Sequence, residues 1–226
     1  MLRKRLQVII LMVPAIVGLA VLGGWIYALG ISAVLGVAAW EFWCMFQKGG
    51  FYPSKIILIG GTVVLGLGNF FAQSNSGVLI SLIILCAMTA HIVEYERGRD
   101  DAAVDFCITI GGFLYIGWLG SHMISIRYLS DGLWWLLVVL PAAWFADSGG
   151  YVIGRWIGRH KFAPRSSPKK TWEGYFGGIV FGLLGTGLMG ALWHLRAPEI
   201  TFQKGLVLGA ILAVITPLGD LGESIF

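Results

Sequence analysis

The sequence predicts an all-α polytopic integral membrane protein with about eight transmembrane helices and a polar site at its cytoplasmic edge. Three observations lead there. Of the 226 residues, 57% are hydrophobic and only 12% charged, with a mean hydropathy of +0.81, too apolar for a soluble domain. The apolar residues form long runs, and a bilayer core about 30 Å thick needs roughly 20 helical residues to cross it. That ruler gives segments at approximately 6–24, 26–46, 55–72, 78–93, 103–120, 132–150, 174–195 and 205–221. The basic residues are confined to the short connections between these runs, so the formal charge of +4 does not indicate nucleic acid. Barrel strands are excluded, because no two-residue alternation occurs and the segments are too long.

Three cysteines, Cys44, Cys86 and Cys107, lie in or at the ends of apolar runs without ligand spacing, which indicates small packing residues. The start M-L-R-K-R followed by a long apolar stretch resembles a signal peptide. The stretch exceeds an ordinary h-region and lacks a small-x-small cleavage site, so it reads as a retained first helix. With the N-terminus in the cytoplasm, thirteen basic residues fall on that side and only Arg127, Arg196 and Lys204 on the other. The chain divides into 1–100, with four helices and a cytoplasmic loop, and 101–226, with four more helices and the polar site.

Taken in order, the first two helices join tightly at Gly23-Gly24, and Pro53 marks a helix boundary after the second. Glu41, in A-A-W-E-F-W-C-M, snorkels or pairs with a neighbouring helix. Asn69 in the third helix reads as an interhelical hydrogen-bonding residue, and S-N-S-G as the external turn after it. The fourth helix ends in H-I-V-E-Y-E-R-G-R-D-D, whose acids mix with Arg97 and Arg99 as in a salt-bridged loop. Asp105 falls just inside the fifth segment and, with Glu94, is a candidate carboxylate for the cytoplasmic cavity. A lone His122 has no triad partners, so nucleophilic catalysis is not indicated.

The sixth segment starts at Trp134-Trp135, read as an external aromatic belt, is kinked by Pro141, and carries Asp147 near its charged end. Asp147 has two readings, a salt bridge to Arg155 or Arg159 and a place at the mouth of a cavity. Between Arg155 and Lys170 stand Arg155, Arg159, Lys161, Arg165, Lys169 and Lys170 with no acid among them, an anion site, a topology signal or both. S-P-K-K-T-W-E-G places ammoniums, hydroxyls and a carboxylate together, the parts that hold a polyphosphate with its metal ion. The loop is expected to aim Lys169 and Lys170 toward the start of the seventh helix. There, Gly174, Gly178 and Gly182 share one face, the mark of close helix packing. In the eighth segment Pro217 and Gly219 should break the helix just before Asp220. Asp220 and Glu223 are then two carboxylates at the cytoplasmic edge, suited to Mg²⁺. Neither G-x-x-x-x-G-K-[ST] nor the dinucleotide glycine pattern occurs.

Three blocks resemble the phosphatidate cytidylyltransferase (CDP-diacylglycerol synthase) family of bacterial inner membranes. A-D-S-G-G-Y-V-I-G-R-W-I-G-R-H-K at 146–161 is similar to its D-x-x-A-Y-x-x-G-R-x-x-G-x-H block, with Gly150 where alanine is usual. S-S-P-K-K-T-W-E-G at 166–174 is similar to S-P-x-K-T-x-E-G, and P-L-G-D-L-G-E-S at 217–224 to the start of the carboxy-terminal signature. The rest of that signature would follow Phe226, so the resemblance implies a truncated member, inactive by itself.

The resemblance implies that CTP and phosphatidate give CDP-diacylglycerol and pyrophosphate by direct attack of the lipid phosphate, with no protein nucleophile. It implies Lys169 and Lys170 on phosphate oxygens and Asp220, with Glu223, on Mg²⁺. Ser166, Ser167 and Thr171 would donate hydrogen bonds to the nucleotide, with Asp147, Arg159, Lys161 and Glu173 also in its binding site. A second cation such as K⁺, a surround of membrane lipid and a homodimer through the glycine faces complete the expectation. Two other readings stand beside it: a CTP-dependent transferase for an isoprenoid or ether-lipid phosphate, told apart by product analysis, and an anion transporter, which inverted repeats would favour. Inspection finds no such repeats.

Overall fold

The computed structural model describes residues 13–71 and 76–224, with the side chain of Glu223 left aside. Arg3, Lys4 and Arg5, the first turns of the expected first helix and the first half of the S-N-S-G turn, Ser74 and Asn75, lie outside the described residues. Eight helical segments follow one another among those described. They are α1 (Val13–Leu22), α2 (Gly24–Lys48), α3 (Ile56–Phe71), α4 (Ser76–Glu96), α5 (Ala102–Arg127), α6 (Gly132–Ile157), α7 (Trp172–Trp193) and α8 (Phe202–Glu223). Six of them are long and apolar enough to cross a membrane, and α1 and α3 are shorter apolar helices. The protein is thus an all-α, multi-pass membrane protein. Strands β1 (Lys161–Ala163) and β2 (Ser167–Thr171) form one small antiparallel hairpin between α6 and α7.

The chain separates into two compact units, divided between Leu129 and Ser130. The Asp100-Asp101 loop, where the sequence reading parts the two halves, lies inside the first.

In the first unit, Gly23 (φ 64°) and Gly24 (φ 54°) take left-handed backbone angles that a side chain would oppose, and this parts α1 from α2. Its core is bulky. Phe42, Leu58, Leu65 and Phe113 are buried with Ala39, and Gly112 leaves the space that the Phe42 ring fills. Phe113 opens a π-helical stretch, Phe113–Trp118, and α3 begins with another, Ile56–Gly60. Asn69 donates to Ser121 Oγ at 2.9 Å across helices, as expected of it, and Arg127 Nε donates to the Ala20 carbonyl at 2.8 Å. His122 hydrogen-bonds the carbonyl of Trp118, one turn back on its own helix.

Asp105 is fully buried in this unit and is not a cavity carboxylate. Its Oδ1 accepts from the backbone N–H of Tyr52 at 2.6 Å and its Oδ2 from Arg99 Nε at 2.8 Å, so a buried charge is compensated on both oxygens. Thr109, one turn on, accepts from the N–H of Ser54 at 2.9 Å and meets His91 Nε2 at 3.0 Å. These bonds fasten the 51–54 connection to α5.

The second unit is built differently. Its helices α6, α7 and α8 pack through glycine. A Cβ placed at Gly174 would stand 2.7 Å from the Gly150 carbonyl oxygen, and one at Gly178 would stand 2.7 Å from that of Ala146. On the other side of α7, a Cβ at Gly190 would come within 2.6 Å of the Thr201 carbonyl oxygen. The four-residue spacing seen in the sequence is therefore a seam of direct backbone contact. Trp134 and Trp135, both partly buried, pack against Val138, Ala197 and Ile200, with the Trp134 and Trp193 rings 5.0 Å apart. α8 runs unbroken through Pro217 to Glu223, against the expected break before Asp220.

Candidate active site

The hairpin replaces the expected loop. Lys161 pairs with Thr171 and Ala163 with Ser167, so S-P-K-K-T is a strand ending at the helix cap. Such a strand carries no alternating apolar signal, and backbone pairing alone makes it. Thr171 closes it, its Oγ1 accepting from the Gly174 N–H at 3.2 Å as the N-cap of α7. Thr171 is buried against Gly154 of α6 and Gly158 just after it, so the two lysines before it hang from an anchored strand end.

These elements enclose a cavity of about 470 Å³ in the second unit. From α6 it takes Asp147, Gly150, Tyr151, Gly154 and Arg155; from the hairpin Phe162, Ser167, Lys169, Lys170 and Thr171; from α7 Gly174, Tyr175 and Gly178; from α8 Ala213, Pro217 and Asp220. The size falls within the ordinary range for small-molecule sites. Glycine makes it possible: where α6 meets α7 without side chains, residues flanking the seam are left to line the space. Pro217 has no N–H to give the Ala213 carbonyl one turn back, and both residues face the cavity.

Lys170 Nζ donates to Asp220 Oδ2 at 2.7 Å, joining the hairpin to α8 across the cavity. Arg155 donates to the Tyr151 hydroxyl at 3.0 Å, not to Asp147, and no salt bridge holds Asp147 among the described residues. Of the two readings of Asp147, the structure places it at the cavity. Phe162 and Tyr175 stack at 5.1 Å with their planes 13° apart, a flat aromatic wall.

Asp147, Ser167, Lys169, Lys170, Thr171 and Asp220 are thus brought together. Of the other sequence candidates, Ser166, Arg159, Lys161 and Glu173 are not, and the side chain of Glu223 lies outside what is described. Ser166 lies in the hairpin turn, and Arg159, Lys161 and Glu173 line a separate open depression with His160, Trp172 and Phe176. Glu173 accepts from the backbone N–H groups of Arg159 at 3.1 Å and His160 at 3.2 Å, and its other oxygen meets His160 Nδ1 at 2.6 Å. It orders the turn after α6. Tyr151, Phe162, Tyr175 and Ala213 were not anticipated. Asp147, Tyr151 and Arg155 recur every four residues on one helical face, a signal that could have found Tyr151; the others come from separate elements and gave none.

The donor set suits a hard divalent cation. Asp147 and Asp220 are oxygen donors on one cavity, and Asp220 already holds a cation, the Lys170 ammonium. No cluster of three or more His, Cys, Asp or Glu side chains occurs among the described residues, so the remaining ligands would be phosphate oxygens and water.

The cytidylyltransferase family model matches residues 3–226. The chain is 29% identical to a phosphatidate cytidylyltransferase of Synechocystis sp., over 94% of this chain and 81% of that protein. It is 29% identical to one of Pseudomonas aeruginosa, over 100% of this chain and 83% of that protein. With one of Mycobacterium tuberculosis the identity is 36%, over 79% of this chain and 56% of that protein. A match over nearly the whole length, on a chain whose hairpin and helix ends enclose a lysine-rich and carboxylate-bearing cavity, places this protein in the cytidylyltransferase family.

Proposed function

We propose that this protein transfers the cytidylyl group of CTP to phosphatidate, giving CDP-diacylglycerol and pyrophosphate, at the cytoplasmic face of a bacterial inner membrane. The observation that carries the reading is the Lys170–Asp220 pair, 2.7 Å long, in a cavity also lined by Lys169, Ser167, Thr171 and Asp147. It sets cationic groups for phosphate beside carboxylates for the cation that accompanies a nucleotide. The excess of basic residues in the connections on one side supports the cytoplasmic placement of the hairpin and of the N-terminus.

In the reaction a phosphate oxygen of phosphatidate attacks the α-phosphorus of CTP. A new P–O bond forms, the bond to the bridging oxygen breaks, and pyrophosphate leaves with that electron pair. Two anions must be brought together, so positioning and charge compensation account for most of the acceleration. Lys169 and Lys170 neutralise phosphate oxygens, and the Ser167 and Thr171 hydroxyls orient them. Phe162 and Tyr175 offer an aromatic face to an organic ring. Asp147 and Asp220 would hold Mg²⁺, which supplies Lewis-acid polarisation of the phosphates when bound. A K⁺ ion would need further oxygen donors beside these two carboxylates. Apart from Gly60, the glycines of α3 and α7 on which a homodimer was expected meet other residues of this chain, which favours a dimer through another face.

Membranes carrying the protein, offered labelled CTP and phosphatidate, should form labelled CDP-diacylglycerol only with magnesium present. Asp220→Asn should lower turnover by about 100-fold or more, the scale of losing a major electrostatic element of a site. Labelling of an isoprenoid or ether-lipid phosphate alone, with diacyl acceptors offered alongside, would defeat the assignment. Solute movement without any lipid-linked cytidine would overturn the enzymatic reading.

A further inference from the structure

Arg159 and Lys161 belong to the sequence motif but not to the cavity. The open depression they line shares no residue with it. Glu173, the acid there, has its oxygens engaged by the amides of Arg159 and His160 and by the His160 ring. No ion pair reaches the Arg159 or Lys161 side chain among the described residues, so the depression presents two unpaired cations beside the one carboxylate of Glu173, a net positive charge. Its floor is apolar: Trp172 is 44% and Phe176 59% exposed, with rings 6.2 Å apart.

From Phe176 an exposed apolar stripe continues along α7 at every fourth residue, through Val180 and Leu184 to Leu188. On a helix long and apolar enough to cross a membrane, that stripe faces acyl chains. Trp156, 84% exposed at the end of α6, supplies a further interfacial ring. A soluble anion would use the cations and leave the stripe unused. A lipid with a phosphate headgroup uses both.

We propose that this depression binds an anionic glycerophospholipid that does not react, its phosphodiester between Arg159 and Lys161 and its chains along Phe176, Val180 and Leu184. The bound lipid would steady the hairpin that carries Lys169 and Lys170, because the Arg159-His160 turn is tied to α7 through Glu173 and through the Trp172 N–H to the His160 carbonyl at 2.9 Å. The inference rests on membrane placement and on these residues, and stands apart from the identity of the reacting lipid.

Native mass spectrometry of the detergent-solubilised protein, titrated separately with phosphatidylglycerol, phosphatidylcholine and phosphatidate, tests it. The wild type should retain phosphatidylglycerol preferentially. The double variant Arg159→Gln, Lys161→Gln should lose about 25-fold in its retention, about fivefold for each cation, with phosphatidylcholine unaffected. Retention within twofold of wild type would overturn the proposal. Displacement of phosphatidylglycerol by millimolar inorganic phosphate would show a free-anion site, and an equal loss of CTP binding would show a nucleotide site; either sinks it. So would preferential retention of phosphatidate over phosphatidylglycerol, which would mark a substrate-loading site. If the double variant does not assemble, Arg159→Lys should keep phosphatidylglycerol within twofold and Arg159→Gln should lose about fivefold; equal retention in the two would also overturn it.

Discussion

The two units solve one packing problem in different ways. The first packs bulky side chains, Phe42 and Phe113 filling spaces that glycines such as Gly112 leave open, and pins its connections with a buried network around Asp105. The second packs backbone on backbone, Gly174 against Gly150 and Gly178 against Ala146, with few large side chains in its centre. In lipid no hydrophobic force drives helices together, so both depend on fit and hydrogen bonds. The difference is in what each leaves over. Interdigitated rings fill their own space. A glycine seam fixes helix positions while leaving the flanking residues free to line a polar cavity, and the cavity lies beside the seam.

The largest expected effect breaks the first unit at its network. Asp105→Ala removes the acceptor for the Tyr52 N–H and for Arg99. The cost should be about 3 kcal/mol, the low end for a buried pair, since Arg99 is 34% exposed and rehydrates. Thermal unfolding in detergent should show the loss, with CTP affinity of the folded protein unchanged. A changed affinity with stability intact would give Asp105 a part in the site.

Next comes the seam. Gly178→Ala sets a methyl 2.7 Å from the Ala146 carbonyl oxygen, and the backbone on either side cannot give way cheaply. A loss of about 1–3 kcal/mol is expected, with CTP binding weakened as well because the cavity walls move. Gly111→Ala in α5, where a Cβ meets nothing within 4 Å, is the control and should cost nothing. Equal behaviour of the two would erase the contrast between the units.

Smaller still is Thr171→Ala, which removes the N-cap of α7 and a cavity hydroxyl together. Unfolding should report about 1 kcal/mol. Thr171→Ser keeps the capping oxygen and should restore most of it. If Ser fails to rescue, the methyl packed against Gly158 rather than the hydroxyl is what matters.

What the sequence disclosed follows the range of the interactions. The helices were legible from run length, the Gly23-Gly24 junction from two adjacent glycines, and the seam on α7 from the spacing of Gly174, Gly178 and Gly182. S-P-K-K-T and D-S-G-G-Y delivered five of the expected cavity residues, Asp147, Ser167, Lys169, Lys170 and Thr171, because each block brings its members into the cavity locally. Failures came where tertiary partners decide. Lys170 meets Asp220 fifty positions away, and Asp105 accepts from Tyr52, 53 positions away. Arg159, Lys161 and Glu173 belong to the same charged stretch as the site lysines, yet the hairpin turns them to another face, and nothing in a string of charges tells which face that is. Pro217 was expected to break α8, but a helix tolerates one missing donor when its neighbours hold it.

The smallest effect tests how far the rigidity of the seam extends. Gly150 stands where the resembling family has alanine, and a Cβ there would lie 3.3 Å from the Gly174 carbonyl oxygen, 3.9 Å from its carbon and 4.0 Å from Gly178 Cα. At Gly178 the corresponding approach is 2.7 Å. The 3.3 Å contact is relieved by a shift of a few tenths of an ångström, well inside what packed helices accommodate, whereas the shorter one forces the helix axes apart. Alanine also gains up to about 1 kcal/mol of helix propensity over glycine, which offsets the crowding. Gly150→Ala should therefore stay within about 0.5 kcal/mol of wild type in thermal unfolding and within about twofold in CTP-dependent lipid product. A loss as large as that of Gly178→Ala would mean that the seam is unyielding along its whole length. Tolerance at 150 with intolerance at 178 would place the rigid contact between Gly178 and Ala146 and leave the cavity wall at Gly150 the freedom to admit a substituent.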